Sequence, residues 1–457
     1  MDLETLREKH PRFVYDSYDL SQGENSVKII FNFVLEPNVV FQPKLTIPKR
    51  TEVQQQILEN FAFHLGMIEA ISYWKAACPK ELLVKAGNLS AQQVSWWHDL
   101  FIHGLGELFY KNGIDFSASD FLQIIPDSQG ARDLGKHTKR ASGRDLVLIG
   151  GGKDSTVTLE LLGTTEGRKA GLALNPTRAT KETAKNAGFD DLITIDRSID
   201  RKLLELNKAG YINGHTPFSA YLAFLGVFAG VLNDFENVIS SNERGAGEGN
   251  ILFHGIDVNH QYSKSYRFEK LFREYCSQYL SDEIQYFSFL RPLYDLQVSE
   301  LFSIYPKQRE AFKSCNIKKY DDSWCNECAK CSFVYLSMFP FLGRDETIRI
   351  FGEDLFQKQE TIQMIRELVG LGKYKPFDCV GTTEESTLAV ALSIQKYRQS
   401  GEEIPKLLAQ LEKELKIDDE KTVKTLEDRI RKGWGLDNFL PEEYVLILKN
   451  ALIKVQP

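Results

Sequence analysis

Residues 146–162 read LVLIGGGKDSTVTLELL. An apolar run typical of a buried β-strand leads directly into a segment with the apolar spacing of an amphipathic helix. The turn that joins them, called the glycine turn below, consists of Gly150, Gly151, Gly152, Lys153, Asp154 and Ser155. Glycine lets a backbone approach an anion closely, and a helix N-terminus offers unpaired N–H groups and the positive end of its dipole. The stretch therefore predicts a phosphate-binding loop rather than an ordinary capped turn.

The polar residues of the glycine turn suit a nucleotide phosphate. Lys153 can neutralise phosphate charge, Asp154 can hold Mg²⁺, and the Ser155 hydroxyl can donate a hydrogen bond to an oxygen. The glycine spacing matches neither the Walker A loop nor the GxGxxG fingerprint. Lys153 and Asp154 are accordingly candidate catalytic residues as well as candidate nucleotide ligands.

Beyond this turn, β-type and helical patterns alternate. The apolar β runs occupy residues 145–149, 169–174, 192–195, 237–240 and 284–289. This alternation predicts an α/β fold, with a parallel sheet and helices on both faces. Ligands bind such sheets at the carboxyl ends of the strands. Glu243 and Arg244 follow the fourth run and are candidate substrate-binding residues, although a flexible surface loop explains them equally well.

Composition divides the chain into five parts. They are an α+β N-terminal domain (1–125), a polar, Gly-rich linker or mobile loop (126–144), a nucleotide-binding domain (145–300), a cysteine-rich segment (301–345) and a helical C-terminal region (346–457). In the first part we expect a β-hairpin within residues 27–48 and helices over 52–77 and 90–110, the first capped by Thr51. The apolar stretch 217–232 is too short to span a bilayer, so it predicts a helix buried in a core.

Overall charge limits the classes of partner. The chain has 56 Lys and Arg against 63 Asp and Glu, a net charge of −7. A nucleic-acid coat or a protein of anionic membrane surfaces needs a clear basic excess, so we expect neither partner. The first residues lack the apolar stretch of a secretory signal, which favours a cytoplasmic location. The oligomeric state is left open.

Four cysteines lie close together in the chain. Cys315, Cys325, Cys328 and Cys331 have the spacing C-x9-C-x2-C-x2-C. Four thiolates at this spacing can close a tetrahedral site, and such a cluster in a reducing compartment favours a metal over disulfides. Zinc in a structural role is the expected occupant, and an iron–sulfur cluster is the alternative.

The glycine turn resembles the SGGxDS loop of the PP-loop ATP pyrophosphatases, which split ATP into AMP and pyrophosphate while adenylating a carboxylate or carbonyl oxygen. Gly150 stands where most members have serine, so one hydroxyl is lost while the backbone cradle remains. That superfamily places adenine contacts after the second strand, which makes Asn175 a candidate for them. A similar cysteine site binds structural zinc in the PP-loop 7-cyano-7-deazaguanine synthases.

Several further segments resemble one family within that superfamily, the MurL epimerases of UDP-N-acetylmuramoyl-L-alanyl-L-glutamate. They are FYKNGIDF, GGGKDS, SNERGAGEGN, VNHQYSKSYRFE, WCNECAKCSFVYL and KPFDCVGTTEE, and the resemblance covers residues 11–385. It implies that the terminal L-glutamate of a UDP-linked muramoyl dipeptide is inverted with ATP and Mg²⁺. Adenylation would remove the negative charge beside Cα, so that an enolate can form and a side chain can move the proton.

Cys379 is the first candidate for that proton carrier, because it lies outside the cysteine cluster and has acidic neighbours in the chain. A small buried hydrophobic residue is its other interpretation. His254 and His260 are alternative bases. Lys264 and Arg267 are candidates for binding the UDP pyrophosphate or the glutamate carboxylates, and a solvated charged loop explains them nearly as well.

Two other functions fit the same patterns. The first is another PP-loop adenylating enzyme, either a tRNA sulfur transferase or an amide-forming synthetase. The acidic net charge disfavours the former, and Asp2 in place of a nucleophilic cysteine after Met1 disfavours the latter. The second is a nucleotide sensor without catalysis, which would bind ATP and release neither AMP nor pyrophosphate.

Overall fold

The computed structural model of the chain describes residues 1–127 and 134–455. Its strands are β1 (Arg12–Gln22), β2 (Ser26–Leu35), β3 (Val39–Phe41), β4 (Lys44–Pro48), β5 (Glu81–Val84), β6 (Gln123–Pro126), β7 (Gly143–Leu148), β8 (Lys169–Leu174), β9 (Leu192–Ser198), β10 (Phe235–Ser240), β11 (Ile251–Phe253), β12 (Ile256–Val258) and β13 (Gln285–Ser288).

The helices are α1 (Leu3–Lys9), α2 (Gln55–Trp74), α3 (Ala91–Gly104), α4 (Gly106–Lys111), α5 (Lys153–Gly163), α6 (Arg178–Asn186), α7 (Arg201–Lys208), α8 (Phe218–Asn233), α9 (Tyr266–Tyr279), α10 (Asp295–Ser303), α11 (Gln308–Ala311), α12 (Ala329–Leu342), α13 (Arg344–Phe351), α14 (Gln359–Leu368), α15 (Thr383–Ser400), α16 (Lys406–Leu415), α17 (Glu420–Arg431) and α18 (Glu442–Val455). In the described part of the chain, none of them is both long and apolar enough to cross a bilayer.

A parallel sheet lies at the centre of the fold. All five predicted β runs are strands, and they pair in parallel in the order β13-β10-β7-β8-β9. Leu146 and Val147, neighbours on β7, belong to separate hydrophobic cores, as alternation along a strand requires. Helices cover both faces, so the predicted α/β architecture is confirmed. The strand order reverses between β7 and β10, where open sheets of this kind bind ligands.

The N-terminal strands extend this sheet. β2 pairs antiparallel with β3 and β4, which confirms the predicted hairpin. β1 was not predicted, although it pairs with β2 over most of its length. β4 also pairs antiparallel with β9, so hydrogen bonding continues across the predicted domain boundary. The boundaries themselves stay predictions.

Helix positions agree with the sequence patterns, with two corrections. The helix predicted over 90–110 is divided at Leu105 into α3 and α4, and the cap predicted for α2 is wrong. The predicted buried helix is α8, whose Phe228 ring lies 4.8 Å from that of Phe61 on α2. Thr51 does not cap α2; that helix begins after Gln54 without a side-chain cap. The Thr51 hydroxyl instead donates to backbone carbonyls at the end of α8, because the chain passes that helix before α2 starts.

The remaining parts pack around this sheet. The C-terminal region is helical from α13 to α18, as predicted. Residues 128–133 of the predicted linker lie outside the described residues. In the described remainder His137 is buried and its backbone N–H donates to the Leu280 carbonyl at 2.9 Å, while residues 138–140 are exposed; the linker stays a prediction.

Candidate active site

A cavity of about 280 Å³ opens at the carboxyl ends of β7, β8 and β10. Gly150, Gly152, Asp154 and Ser155 of the glycine turn form one part of its wall. More distant parts of the chain contribute other wall residues: Lys264, Cys315, Lys330 and Cys379. The cavity therefore joins the predicted phosphate loop to the predicted proton carrier at the point where the strand order reverses.

The backbone of the glycine turn leaves room for a ligand. Gly151 has φ +81°, and a Cβ there would lie 2.7 Å from the Thr180 amide nitrogen, so only glycine fits. A Cβ at Gly150 would meet no protein atom within 4 Å. Gly152 precedes α5 and has no side chain that could cap this helix, although the Lys153 backbone N–H donates to the Ser314 hydroxyl at 3.2 Å. The turn is open on the side that faces the cavity.

Lys153 is buried between two carboxylates rather than directed into the cavity. Its Nζ lies 2.6 Å from Asp154 Oδ1 and 2.8 Å from Asp295 Oδ1. Burial lowers the Lys153 pKa, but the charges of both aspartates outweigh this and raise it. Burial likewise raises the Asp154 pKa, and the charges of Lys153 and Lys330 lower it overall. Asp154 thus presents a firmly ionised carboxylate at the cavity wall, as a Mg²⁺ ligand requires.

Two buried glutamates lie near this cluster. Burial and the neighbouring carboxylates raise the pKa values of Glu243 and Glu385. Glu385 accepts hydrogen bonds from the backbone N–H groups of Leu296 (3.0 Å) and Thr382 (2.7 Å). Arg244, next to Glu243 in the chain, is exposed and places its guanidinium 4.6 Å from the centre of the Tyr294 ring. The two predicted substrate residues therefore lie in different surroundings.

Cys379, at the cavity wall, pairs with His260, which lies behind it. Cys379 Sγ lies 3.7 Å from His260 Nε2, and His260 Nδ1 makes a short hydrogen bond with the carboxylate of Glu107 on α4. Burial raises the Cys379 pKa, but the charges of Lys264 and His260 lower it to about 6. Burial lowers the His260 pKa, while Cys379 and Glu107 raise it to about 9. At neutral pH the pair is a thiolate and an imidazolium, in which the thiolate can accept a proton.

Glu243 and Arg244 do not line the cavity, and neither do three further predicted site residues, Asn175, His254 and Arg267. Asn175 has φ +46°, and its side-chain amide pairs with the Arg197 backbone. His254 is exposed in the turn between β11 and β12, where it faces Asp115. Arg267 is exposed and pairs with Asp99. The structure brings none of these three side chains to Cys379 or to the glycine turn.

The cysteine cluster can hold one metal ion. The Sγ atoms of Cys315, Cys325, Cys328 and Cys331 all lie within 4.8 Å of one another, and those of Cys325 and Cys331 are 3.7 Å apart. Zn–S bonds of about 2.3 Å in a tetrahedron place sulfurs about 3.8 Å apart. Backbone N–H groups of Lys318, Glu327 and Cys331 donate to the sulfurs, which favours thiolates. The donor set fits zinc.

Sequence analysis missed several residues of this site: Glu107, His215, Asp295 and Lys330. Asp295 follows β13, so inspection of every strand end would have found it. Glu107 and His215 are single polar residues in segments with no motif, and only the fold brings them to His260.

Comparison with known proteins gives a consistent answer. The MurL N-terminal domain family matches residues 4–289, and the MurL C-terminal domain family matches residues 311–424. Proteins named UDP-N-acetyl-alpha-D-muramoyl-L-alanyl-L-glutamate epimerase are similar to this chain over most of their length. The one from Micromonospora sp. is 33% identical over 83% of this chain and 86% of its own. The one from Salinispora tropica is 33% identical over 82% of this chain and 83% of its own. The one from Xanthomonas oryzae pv. oryzae is 32% identical over 72% of this chain and 73% of its own. No solved structure matches. The chain belongs to the MurL epimerase family.

Proposed function

We propose that this protein inverts the terminal L-glutamate of UDP-MurNAc-L-Ala-L-Glu during synthesis of peptidoglycan precursors. ATP would activate the α-carboxylate as an acyl-adenylate, with release of pyrophosphate and then AMP. Family membership supports the epimerisation and the substrate class, because the similar proteins are named as epimerases of this compound. The observation that best supports activation by ATP is a single cavity lined by both the glycine turn and Cys379.

The wall of the cavity suits ATP. The open side of the glycine turn and the start of α5 can receive phosphate oxygens. Apolar side chains at the end of β8 and on α8, among them Leu174, Leu222 and Leu225, can contact the adenine ring. Asn175 directly follows Leu174, so the predicted adenine contact falls to its neighbour rather than to its own amide. These features support our proposal that the central domain is PP-loop-like.

Cys379 would remove the Cα proton. Activation replaces a charged carboxylate by an ester-like carbonyl, so the electrons left on Cα can delocalise onto the carbonyl oxygen. Lys264 and Lys330, also at the cavity wall, supply positive charge where that oxygen develops negative charge. Cys379 then loses this proton to solvent, and a solvent proton added to the opposite face of Cα gives the D-epimer. Water then attacks the carbonyl carbon and AMP leaves.

Two metals accompany this proposal. Asp154 would hold Mg²⁺, which when bound neutralises phosphate charge. The cysteine cluster would hold structural Zn²⁺. Because Cys315 belongs to this cluster and also lines the cavity, the bound zinc would fix that part of the wall. Neither metal is assigned to the proton transfer.

The test incubates the protein with UDP-MurNAc-L-Ala-L-Glu, ATP and Mg²⁺ in D₂O. We expect deuterium at the glutamate Cα and formation of AMP, with both lost when ATP is omitted. Release of AMP without deuterium would instead indicate another adenylating enzyme. ATP binding with neither product would indicate a nucleotide sensor.

A further inference from the structure

We infer that Glu107 is the positioning residue of the proton-transfer step, which holds His260 protonated and aimed at Cys379. The catalytic meaning of this inference rests on the proposed function. Its structural content, a carboxylate–imidazolium–thiolate chain, does not. The α4 helix that carries Glu107 precedes the glycine turn by some 40 residues of sequence and belongs to the predicted N-terminal domain, which would give that domain a task in the reaction.

The three side chains meet from separate parts of the chain. Glu107 comes from α4, His260 from the segment between β12 and α9, and Cys379 from the segment before α15. The Glu107 side chain is 5% exposed and that of His260 is 10% exposed. Glu107 binds one ring nitrogen of His260, and the other ring nitrogen faces Cys379 Sγ at 3.7 Å. A carboxylate in this position fixes the ring and favours its protonated form.

Hydrogen bonds from the Asn250 and Gln261 side chains to backbone groups hold the segments of His260 and Cys379 together. The Asn250 amide oxygen accepts from the His260 backbone N–H at 2.7 Å, and its amide nitrogen donates to the Pro376 carbonyl at 2.7 Å. The Gln261 side chain donates to the Val380 carbonyl at 3.0 Å. Cys379 is thus anchored to the His260 segment on both sides. The backbone of both segments is held without Glu107, so the Glu107 carboxylate is left to fix the orientation and charge of the His260 ring.

The groups that surround the pair decide its charge. They are Glu107 and Lys111 on α4, His215 before α8, Lys264 on the His260 segment, Lys330 on α12 and Cys379 itself. The His215 ring lies 4.2 Å from the His260 ring, but burial lowers its pKa to about 3, so it stays neutral. Glu107, whose carboxylate bonds to both His260 and Lys111, is then the anion that stabilises the proton on His260. Without it, His260 would lose that proton more easily and Cys379 would hold its own more tightly.

The experiment measures the ionisation of Cys379 without ATP or substrate. Full-length protein is treated with iodoacetamide between pH 5 and 9, and alkylation of the Cys379 peptide is followed by mass spectrometry. In the wild type we expect a midpoint at about pH 6. In Glu107→Gln we expect the midpoint to rise by about one unit or more, and a rise of one unit lowers the alkylation rate at pH 6 by about fivefold. Glu107→Asp should restore part of the loss.

The control variant is Asp115→Asn, which removes a carboxylate that faces the exposed His254 and should leave the midpoint unchanged. A folded Glu107→Gln protein with the wild-type midpoint would overturn the inference. If that variant does not fold, NMR of ¹³C-labelled histidine in the wild type measures the His260 pKa directly. A value near 9 supports the inference, and a value below 7 overturns it.

Turnover separates this inference from the proposed function. In Glu107→Gln we expect kcat to fall with little change in KM, and the loss to shrink as pH rises and Cys379 ionises unaided. A purely structural role would not produce rescue at high pH. If the Cys379 midpoint responds to Glu107→Gln in a protein with no epimerase activity, the charge chain stands and the proposed function fails. If epimerase activity is present and the midpoint does not respond, only the inference fails.

Discussion

Replacement of Cys379 by serine removes the predicted proton acceptor with little change of shape. With a pKa of about 6, about 90% of the Cys379 thiol is ionised at pH 7. An ordinary thiol with a pKa of about 8.5 would be about 3% ionised, so the surroundings increase the thiolate population about 30-fold. A serine hydroxyl stays protonated in the same place. Loss of a positioned base costs about 10²- to 10⁴-fold, and we expect a decrease of that size in Cα exchange.

The assay is deuterium incorporation at the glutamate Cα of UDP-MurNAc-L-Ala-L-Glu with ATP, followed by mass spectrometry, with AMP release measured in parallel. AMP release should continue in Cys379→Ser, because activation does not need the thiolate. The matched control is Cys276→Ser, since burial raises the pKa of the Cys276 thiol to about 12 and keeps it neutral. Exchange at the wild-type rate in a folded Cys379→Ser protein would refute the assignment of Cys379.

Three further outcomes follow from the site. Gly150→Ala should preserve the melting temperature, because its Cβ meets no protein atom, but it should weaken ATP binding measured by calorimetry. At Gly247 an added Cβ would also meet no protein atom within 4 Å, but Gly247 does not line the cavity. Gly247→Ala should therefore leave the melting temperature and ATP binding unchanged. Cys328→Ser, or prolonged dialysis against a zinc chelator, should lower the melting temperature by several degrees, and equal melting curves with and without metal would contradict a structural zinc. The rate of Cα exchange should rise as pH increases through about 6, because Cys379 loses its proton there. The rate should then stay level to pH 8, because His260 is still protonated at that pH. A rise centred near pH 8.5 would indicate an ordinary thiol.

Local patterns were sufficient to predict the central sheet. β7, β8, β10 and β13 are short, mostly buried runs, as expected for parallel strands covered on both faces, whereas β9 alternates buried and exposed residues. The glycine turn could also be predicted from the sequence. The positive φ at Gly151 and the close approach of Thr180 exclude any side chain there, so the conformation requires glycine. By contrast, β1 mixes polar and apolar residues as it runs towards solvent, which hid it from periodicity.

The arrangement of the site could not be predicted from local patterns. Both His254 and His260 were predicted as alternative bases. In the structure, His254 is exposed in a hairpin turn, whereas His260 lies between Glu107 and Cys379. Long-range packing makes this difference, since 153 residues separate Glu107 from His260. Lys153 shows the same limit. Its role as a phosphate ligand was predicted from the motif, whereas its Nζ is paired with Asp154 and with Asp295, the first residue of α10.

The central claim is that the substrate carboxylate is joined to AMP before Cα is inverted. It is tested most directly with substrate that carries ¹⁸O in the glutamate α-carboxylate. When water cleaves the acyl-adenylate at the carbonyl carbon, one carboxylate oxygen leaves with AMP. If the acyl-adenylate forms and is cleaved in this way, we expect one ¹⁸O atom in the phosphate of each AMP formed. Epimerised product together with AMP that contains no ¹⁸O would contradict it.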